Sequence, residues 1–151
     1  MISMVLNSPE QMEGFGERLA GKLRAGDLVL LTGPLGAGKT TLTRGIGAGL
    51  GAEGTVQSPT FVLARQHRTA AGPKLIHVDA YRLGSAVELD DLDIDFAKSI
   101  VVIEWARDFL DGYADSYLEI TIDRSSEDES RAVTISGVGP RWQEVELADL
   151  N

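Results

Sequence analysis

The sequence predicts an α/β fold built on a mostly parallel central sheet, and three features carry that prediction. Leu28-Val29-Leu30-Leu31 and Ile100-Val101-Val102-Ile103 are wholly apolar runs of four, the mark of strands buried on both faces. Between the first run and an expected helix lies Gly33-Pro34-Leu35-Gly36-Ala37-Gly38-Lys39-Thr40, which fills the phosphate-loop pattern G-x-x-x-x-G-K-[ST]. Near the end of the chain, Tyr117–Asp123 and Arg131–Ile135 alternate apolar and polar residues, as strands of an antiparallel hairpin do. Together these predict one P-loop nucleoside-triphosphatase domain over residues 1–151. Its mixed, mostly parallel sheet is flanked by helices and carries a C-terminal antiparallel hairpin.

Taken in order, Asn7-Ser8-Pro9-Glu10 reads as a helix start: a capping residue, proline at the first helical position, and an acid near the positive helix end. Met12, Phe15, Leu19 and Leu23 follow at spacings of three and four and give the helix one apolar face. Arg24–Asp27 turns the chain into the strand ahead of the loop. The helix after the loop, from Lys39 to Leu50, holds Gly45, Gly47 and Gly49, each costing about 1 kcal/mol of helix propensity relative to alanine. Gly45 and Gly49 lie four apart on one face, which predicts close contact between this helix and the sheet. Gly51 fits a C-terminal cap. Phe61–Arg65 reads as a strand, with Thr69–Pro73 as a hairpin-like loop before the next one.

The phosphate loop dictates a chemistry. Gly33, Gly36 and Gly38 permit backbone angles and a close approach that a side chain would block. Successive amides of Leu35, Gly36, Ala37, Gly38, Lys39, Thr40 and Thr41 can then turn toward phosphate oxygens at the positive end of the following helix. Lys39 would set its ammonium against the β- and γ-phosphates, and the Thr40 hydroxyl would ligate Mg²⁺. Two further strands end in carboxylates: Leu75-Ile76-His77-Val78-Asp79 and Ile100-Val101-Val102-Ile103-Glu104. An acid at the carboxyl end of such a strand lies on the ligand-binding edge of an open sheet. Either could hold Mg²⁺ or orient the attacking water. His77, alternating with apolar neighbours, reads as a structural histidine. Ser58-Pro59-Thr60, some twenty residues past the loop, fits either a γ-phosphate-sensing switch segment or a plain turn into a strand.

Composition narrows the class. No cysteine is present, which excludes disulfides and thiolate metal sites. Met1–Leu6 has neither a charged leader region nor a long apolar core, so no signal peptide is expected. Apolar runs reach only about four residues against the ~20 that span a bilayer. A cytoplasmic protein with no membrane association is the expectation. A formal charge of −9 argues against a direct grip on nucleic acid, which needs a basic footprint. The acidic stretch Glu88–Asp95 fails the EF-hand template, having Phe96 where glycine is needed and Val102 where the final glutamate is needed. It reads as a solvated surface around a short helix.

Three stretches carry a resemblance to one family. Gly33–Thr41 followed by Arg44-Gly45, then Ser58-Pro59-Thr60-Phe61, then His77-Val78-Asp79-Ala80-Tyr81-Arg82-Leu83 with Glu104-Trp105, resemble the TsaE (YjeE) family, the bacterial ATPases of tRNA threonylcarbamoyladenosine biosynthesis. The likeness runs from about Ser8 to Ile135. It implies that ATP and Mg²⁺ bind, with Thr40 and Glu104 holding the metal and Asp79 supporting hydrolysis. It implies that Ser58 and Thr60 sense the γ-phosphate and that Trp105 lies next to the nucleotide. Ser8 and Arg131 would contact the nucleoside. The implied partners are the TsaD and TsaB proteins, which act on tRNA, so that this acidic chain would meet tRNA only indirectly. Pro34 departs from the acid that the family often carries there, at a variable position of the loop.

Two other classes compete. A small-molecule kinase of the phosphate-loop class needs an acceptor region and usually a lid of arginines, whereas from Asp79 to Leu92 the only basic residue is Arg82. A nucleotide-gated switch specific for guanine needs an N-K-x-D base-reading motif, and the sequence has none.

Overall fold

The computed structural model describes residues 1–34, 36–54, 56, 64–80, 93–104, 114–124 and 130–150. In chain order the elements are β1 (Ile2–Leu6), α1 (Pro9–Ala20), β2 (Leu28–Thr32), α2 (Lys39–Leu50), β3 (Ala64–His67), β4 (Lys74–Asp79), β5 (Ser99–Glu104), β6 (Tyr117–Asp123), β7 (Arg131–Val138) and a short α3 (Pro140–Gln143). One sheet takes all seven strands in the order β1-β7-β6-β2-β5-β4-β3. The inner four, β6-β2-β5-β4, run parallel, and the outer pairings β1/β7, β6/β7 and β3/β4 are antiparallel. The expected α/β class, the parallel centre and the C-terminal hairpin β6–β7 are all present. Among the described residues no helix is long and apolar enough to cross a membrane.

Each face of the sheet has its own core. Leu31, Val102, Leu75 and Ile120 point to the side covered by α1 and α2, where they meet Phe15, Leu19, Leu42 and Ile46. Leu28, Leu30, Ile76, Val78, Val101 and Ile103 point to the other side. Every residue of β5 is buried, as its unbroken apolar run predicts.

Helix α1 begins where the sequence places it. Ser8 is the N-cap: its Oγ accepts from Gln11 N at 3.1 Å, and Gln11 Oε1 in turn accepts from Asn7 N at 2.8 Å. The pair is a variant of the capping box in which the return bond goes to Asn7 N, one residue before the N-cap. The helix ends at Ala20, so Leu23, placed by periodicity on its apolar face, packs against the core from the turn that follows. Asp27, buried at the end of that turn, is clamped by Arg141 of α3 through Nε at 2.9 Å and Nη2 at 3.1 Å.

The glycines of α2 correct one expectation. Gly45 and Gly49 face α1 instead of the sheet. A Cβ on Gly45 would strike the carbonyl oxygen of Glu13, and one on Gly49 would come within 2.5 Å of Ala20 Cβ. From the other side, a Cβ on Gly16 would lie 2.5 Å from Leu42 O. The two helices thus meet backbone to backbone, and only Gly47, beside Val56 and Leu75, serves the helix-to-sheet contact. Spacing marks the small-residue face, but the sheet expected against it is replaced by α1.

Two boundaries also shift. β3 runs from Ala64 to His67, beyond the expected end at Arg65, and its expected start at Phe61 lies outside the described residues. β7 continues past Ile135 to Val138. Of the acidic stretch, Glu88–Leu92 lies outside the described residues; Asp93 and Asp95 are exposed, and a 3-10 turn follows at Phe96–Lys98. Strand β1 is an addition. Met4 and Leu6 point inward, but exposed Val5 blurs the two-residue alternation that would have marked it.

Candidate functional site

The phosphate loop leaves the carboxyl end of β2, at the middle of the parallel strands. Gly33 is there for space, since a Cβ would lie 2.7 Å from Ile122 O and 3.2 Å from Ala37 Cβ. Gly36 and Gly38 are there for conformation, with φ of 78° and 115°, in the left-handed region that favours glycine. The loop is closed by Ala37 N donating to Pro34 O at 3.0 Å. Gly38 is also the N-cap of α2 and provides no capping side chain, and the first turn of that helix holds no acid. The amides of a twelve-residue helix therefore open onto the loop, which suits an anion.

Lys39, the first residue of α2, is buried. Its Nζ donates to Gly33 O at 2.6 Å and to Pro34 O at 3.1 Å, so the ammonium is held inside the loop by the loop's own carbonyls. Burial pushes its pKa below the ordinary lysine value, and the nearby carboxylates of Glu104 and Asp79 pull the other way. Thr43 Oγ1 donates to Lys39 O at 2.8 Å, tying the first turn of the helix to the next. Thr40 and Thr41 follow Lys39, both half-buried.

The strand register brings the two acids to this loop. Asp79 and Glu104 are direct partners in the parallel β4/β5 pairing, and Glu104 is also the partner of Leu31 in β2. Both carboxylates therefore leave the sheet at the same edge and on the same face, one and two strands away from the loop. Glu104 is 4% exposed, and burying a carboxylate to that degree is costly unless it is paired. His77, two residues before Asp79, is fully buried, as its apolar neighbours predict. It is also more than a core residue, because its Nε2 lies 3.2 Å from Glu104 Oε1. Neither of these two atoms completes a well-aligned hydrogen bond. Alternation along β4 marks His77 as inward-facing; only the β4/β5 register reveals which carboxylate it faces.

On the other side of the loop lies a cleft of about 150 Å³. It is lined by Ser8, Pro9 and Met12 at the start of α1, by Gly36, Gly38 and Thr41 of the loop and α2, and by Arg131 of β7. Strand β1 explains this meeting of distant residues: Leu6 pairs with Arg131, which sets Ser8 and Arg131 at the same sheet end. Arg131 is half-buried and donates from Nη1 to Ser130 O at 2.9 Å. Arg124, the residue after β6, is a further neighbour of the loop. A Cβ on Gly36 would meet its Nη1 at 2.9 Å. The parallel β2/β6 pairing creates that neighbourhood, and nothing local in the sequence signals it.

Of the expected site residues, the structure gathers Gly33, Gly36, Ala37, Gly38, Lys39, Thr40, Thr41, Asp79 and Glu104 at one edge, with Ser8 and Arg131 beside them. Leu35, Ser58, Thr60 and Trp105 lie outside the described residues. Among the described residues no three His, Asp or Glu side chains converge as a metal cage. A hydroxyl and one or two carboxylates fit Mg²⁺, which keeps several waters and takes substrate phosphates as ligands.

A parallel sheet with a glycine-rich phosphate loop between its central strand and a helix, and with carboxylates at the ends of adjacent strands, defines the class of phosphate-loop α/β proteins. Comparison with known proteins takes this further. The family model described as "Threonylcarbamoyl adenosine biosynthesis protein TsaE" matches residues 6–133. A Streptomyces coelicolor protein named tRNA threonylcarbamoyladenosine biosynthesis protein TsaE is 50% identical over 146 residues, covering 92% of this chain and 99% of that protein. A Bacillus subtilis protein of the same name is 34% identical over 139 residues, covering 90% of this chain and 85% of its own. The crystal structure of Bacillus subtilis YdiB superposes with a TM-score of 0.76 at 30% identity, covering 94% of this chain and 88% of that one. The chain belongs to the TsaE family.

Proposed function

We propose that this protein binds ATP with Mg²⁺ at the phosphate loop and hydrolyses it slowly, in the service of tRNA threonylcarbamoyladenosine formation by a TsaD–TsaB complex in the cytoplasm. The observation that carries the chemistry is the register of Asp79 and Glu104, side by side at the loop's edge with buried Lys39 between charge and cradle. The amides of Gly36 to Thr41 receive the phosphates, and Lys39 exchanges the carbonyls of Gly33 and Pro34 for phosphate oxygens. Thr40 and Glu104 hold the metal, which when bound would neutralise charge building on the phosphates. Asp79 orients the attacking water. Ser58 and Thr60 sense the γ-phosphate, while Ser8, Arg131 and Trp105 hold the nucleoside. The pathway is supported by the names of the relatives, and an acidic ATPase suits a role in which the partners carry the RNA-binding surface.

Reconstitution tests this reading. Threonylcarbamoyladenosine formed per TsaD–TsaB complex is measured with and without this protein and ATP, and turnover is expected to rise only when both are present. No rise would defeat the assignment. The protein alone is expected to hydrolyse ATP slowly; rapid turnover without partners would defeat the coupling.

A further inference from the structure

Strand β6 ends at Asp123, and Arg124, the next residue, turns toward the phosphate loop. Its Nη1 stands 2.9 Å from where a Cβ of Gly36 would be. Gly36 is the loop residue whose left-handed backbone, at φ 78°, helps form a concave nest of amides. Arg124 is exposed, and among the described residues it makes no hydrogen bond or ion pair. The contrast with Arg141 is direct: that guanidinium is fixed on buried Asp27 and on Lys22 O at 2.8 Å. In a chain of 23 acidic and 14 basic residues, carboxylate partners abound, yet this arginine stands beside a residue of the phosphate loop.

We propose that Arg124 is a binding residue for the nucleotide's diphosphate, its guanidinium moving from above Gly36 onto the non-bridging α- and β-phosphate oxygens that ATP and ADP share. This rests on the nucleotide reading of the loop given above. Phosphate is favoured over the base because Arg124 Nη1 stands beside Gly36 of the amide loop, whereas the cleft's apolar lining, fit for a base, is Pro9 and Met12. A planar guanidinium suits two phosphate oxygens at once in a way that an ammonium does not. Ground-state binding is favoured over hydrolysis because Asp79 and Glu104, the groups suited to the reaction, belong to β4 and β5 on the opposite side of β2 from β6.

The test is equilibrium binding of fluorescent ADP to the full chain, with ATP and adenosine as competitors, for the wild type, Arg124→Ala, Arg124→Lys and Lys39→Ala. Arg124→Ala is expected to weaken ADP and ATP alike by about tenfold, the scale of one charge-assisted contact. Adenosine affinity and melting temperature should stay at the wild-type values, Arg124→Lys should recover part of the loss, and the deficit should shrink in high salt. Unchanged ADP affinity in Arg124→Ala would overturn the proposal. So would an equal loss for adenosine, which would move Arg124 to the base, or a loss confined to the hydrolysis rate. A wild type that binds no ADP, indistinguishable from Lys39→Ala, would overturn the nucleotide reading itself; a binding wild type matched by Arg124→Ala overturns the role of Arg124 alone.

Discussion

The two sides of the phosphate loop are built on opposite principles. On the side of β4 and β5, most of the charged groups are buried: Lys39 and Glu104 are 6% and 4% exposed and His77 is fully enclosed, with Asp79 half-buried beside them. On the side of β6, β7 and α1, Ser8 and Arg131 are half-buried and line an open cleft, and Arg124 is exposed. Buried charges in a rigid parallel sheet cannot relax away from one another, so their positions are fixed before any ligand arrives. The open side relies on a helix N-terminus and on arginines of the β6–β7 hairpin, which can adjust. Under the proposed function, reaction chemistry would belong to the buried side and ligand grip to the open one.

The largest effect should come from breaking the buried side. Glu104→Ala is expected to lower ATP hydrolysis by about 10³-fold, the several kcal/mol that a lost metal-linked charge contributes to a transition state. Asp79→Ala should lower it by about 10²-fold, the scale of a lost general base. Steady-state phosphate release measures both, while ADP affinity should change little. Turnover that survives Glu104→Ala would remove this residue from the reaction. Lys39→Ala sits between the two sides, and its expected loss is in binding, on the order of 100-fold in ADP affinity by titration calorimetry. If Lys39→Ala bound ADP normally, the division itself would fall.

How much of this could be read from the sequence follows the same division. The buried side was legible because burial writes itself into local pattern: unbroken apolar runs mark β2 and β5, and the acids that end β4 and β5 stand out against them. The loop was legible because its glycines are dictated by backbone conformation at Gly36 and Gly38 and by close packing at Gly33. The open side was assembled from pairings between distant segments. Ser8 and Arg131 were placed by family resemblance, and the reason they meet, the β1/β7 register, has no local signal. Arg124 carries no local signal for the same reason, since its neighbour Gly36 is set by β6 lying beside β2. The contact of His77 with Glu104 was likewise invisible, though burial of His77 was not. Glycine spacing in α2 announced a close contact, but the partner, α1, came only from the packed structure.

That helix contact provides an intermediate test. Gly45→Ala adds a methyl where the Glu13 carbonyl stands, and neither backbone can yield without displacing α1. The expected cost is about 3 kcal/mol, the upper part of the range for overpacking a close contact, read as a fall in the urea midpoint. Because α1 carries Ser8, Pro9 and Met12 to the cleft, ADP affinity should fall as well, by about tenfold if α1 shifts enough to lose one good contact. Hydrolysis at saturating ATP should be less affected, since Glu104 and Asp79 belong to the sheet. Loss of saturated turnover with affinity intact would reverse the assignment of the two sides.

The smallest effect separates the cap of α1 from the grip of the cleft. Ser8→Ala removes the oxygen that accepts from Gln11 N, at an expected cost of about 1 kcal/mol in stability. Ser8→Asp keeps an accepting oxygen at the cap and adds a negative charge favourable to the helix terminus, so its melting temperature should return to the wild-type value or slightly above. The same charge would stand in the cleft beside Gly36 and Thr41, where the nucleotide's phosphates are expected. ADP affinity should therefore fall further in Ser8→Asp than in Ser8→Ala, by about threefold or more at low salt, and the gap should narrow as salt is added. Stability and affinity then move in opposite directions between the two variants. If affinity followed stability instead, Ser8 would act on the nucleotide only by holding α1 in place, and the open side would owe its grip to Arg131 and the loop.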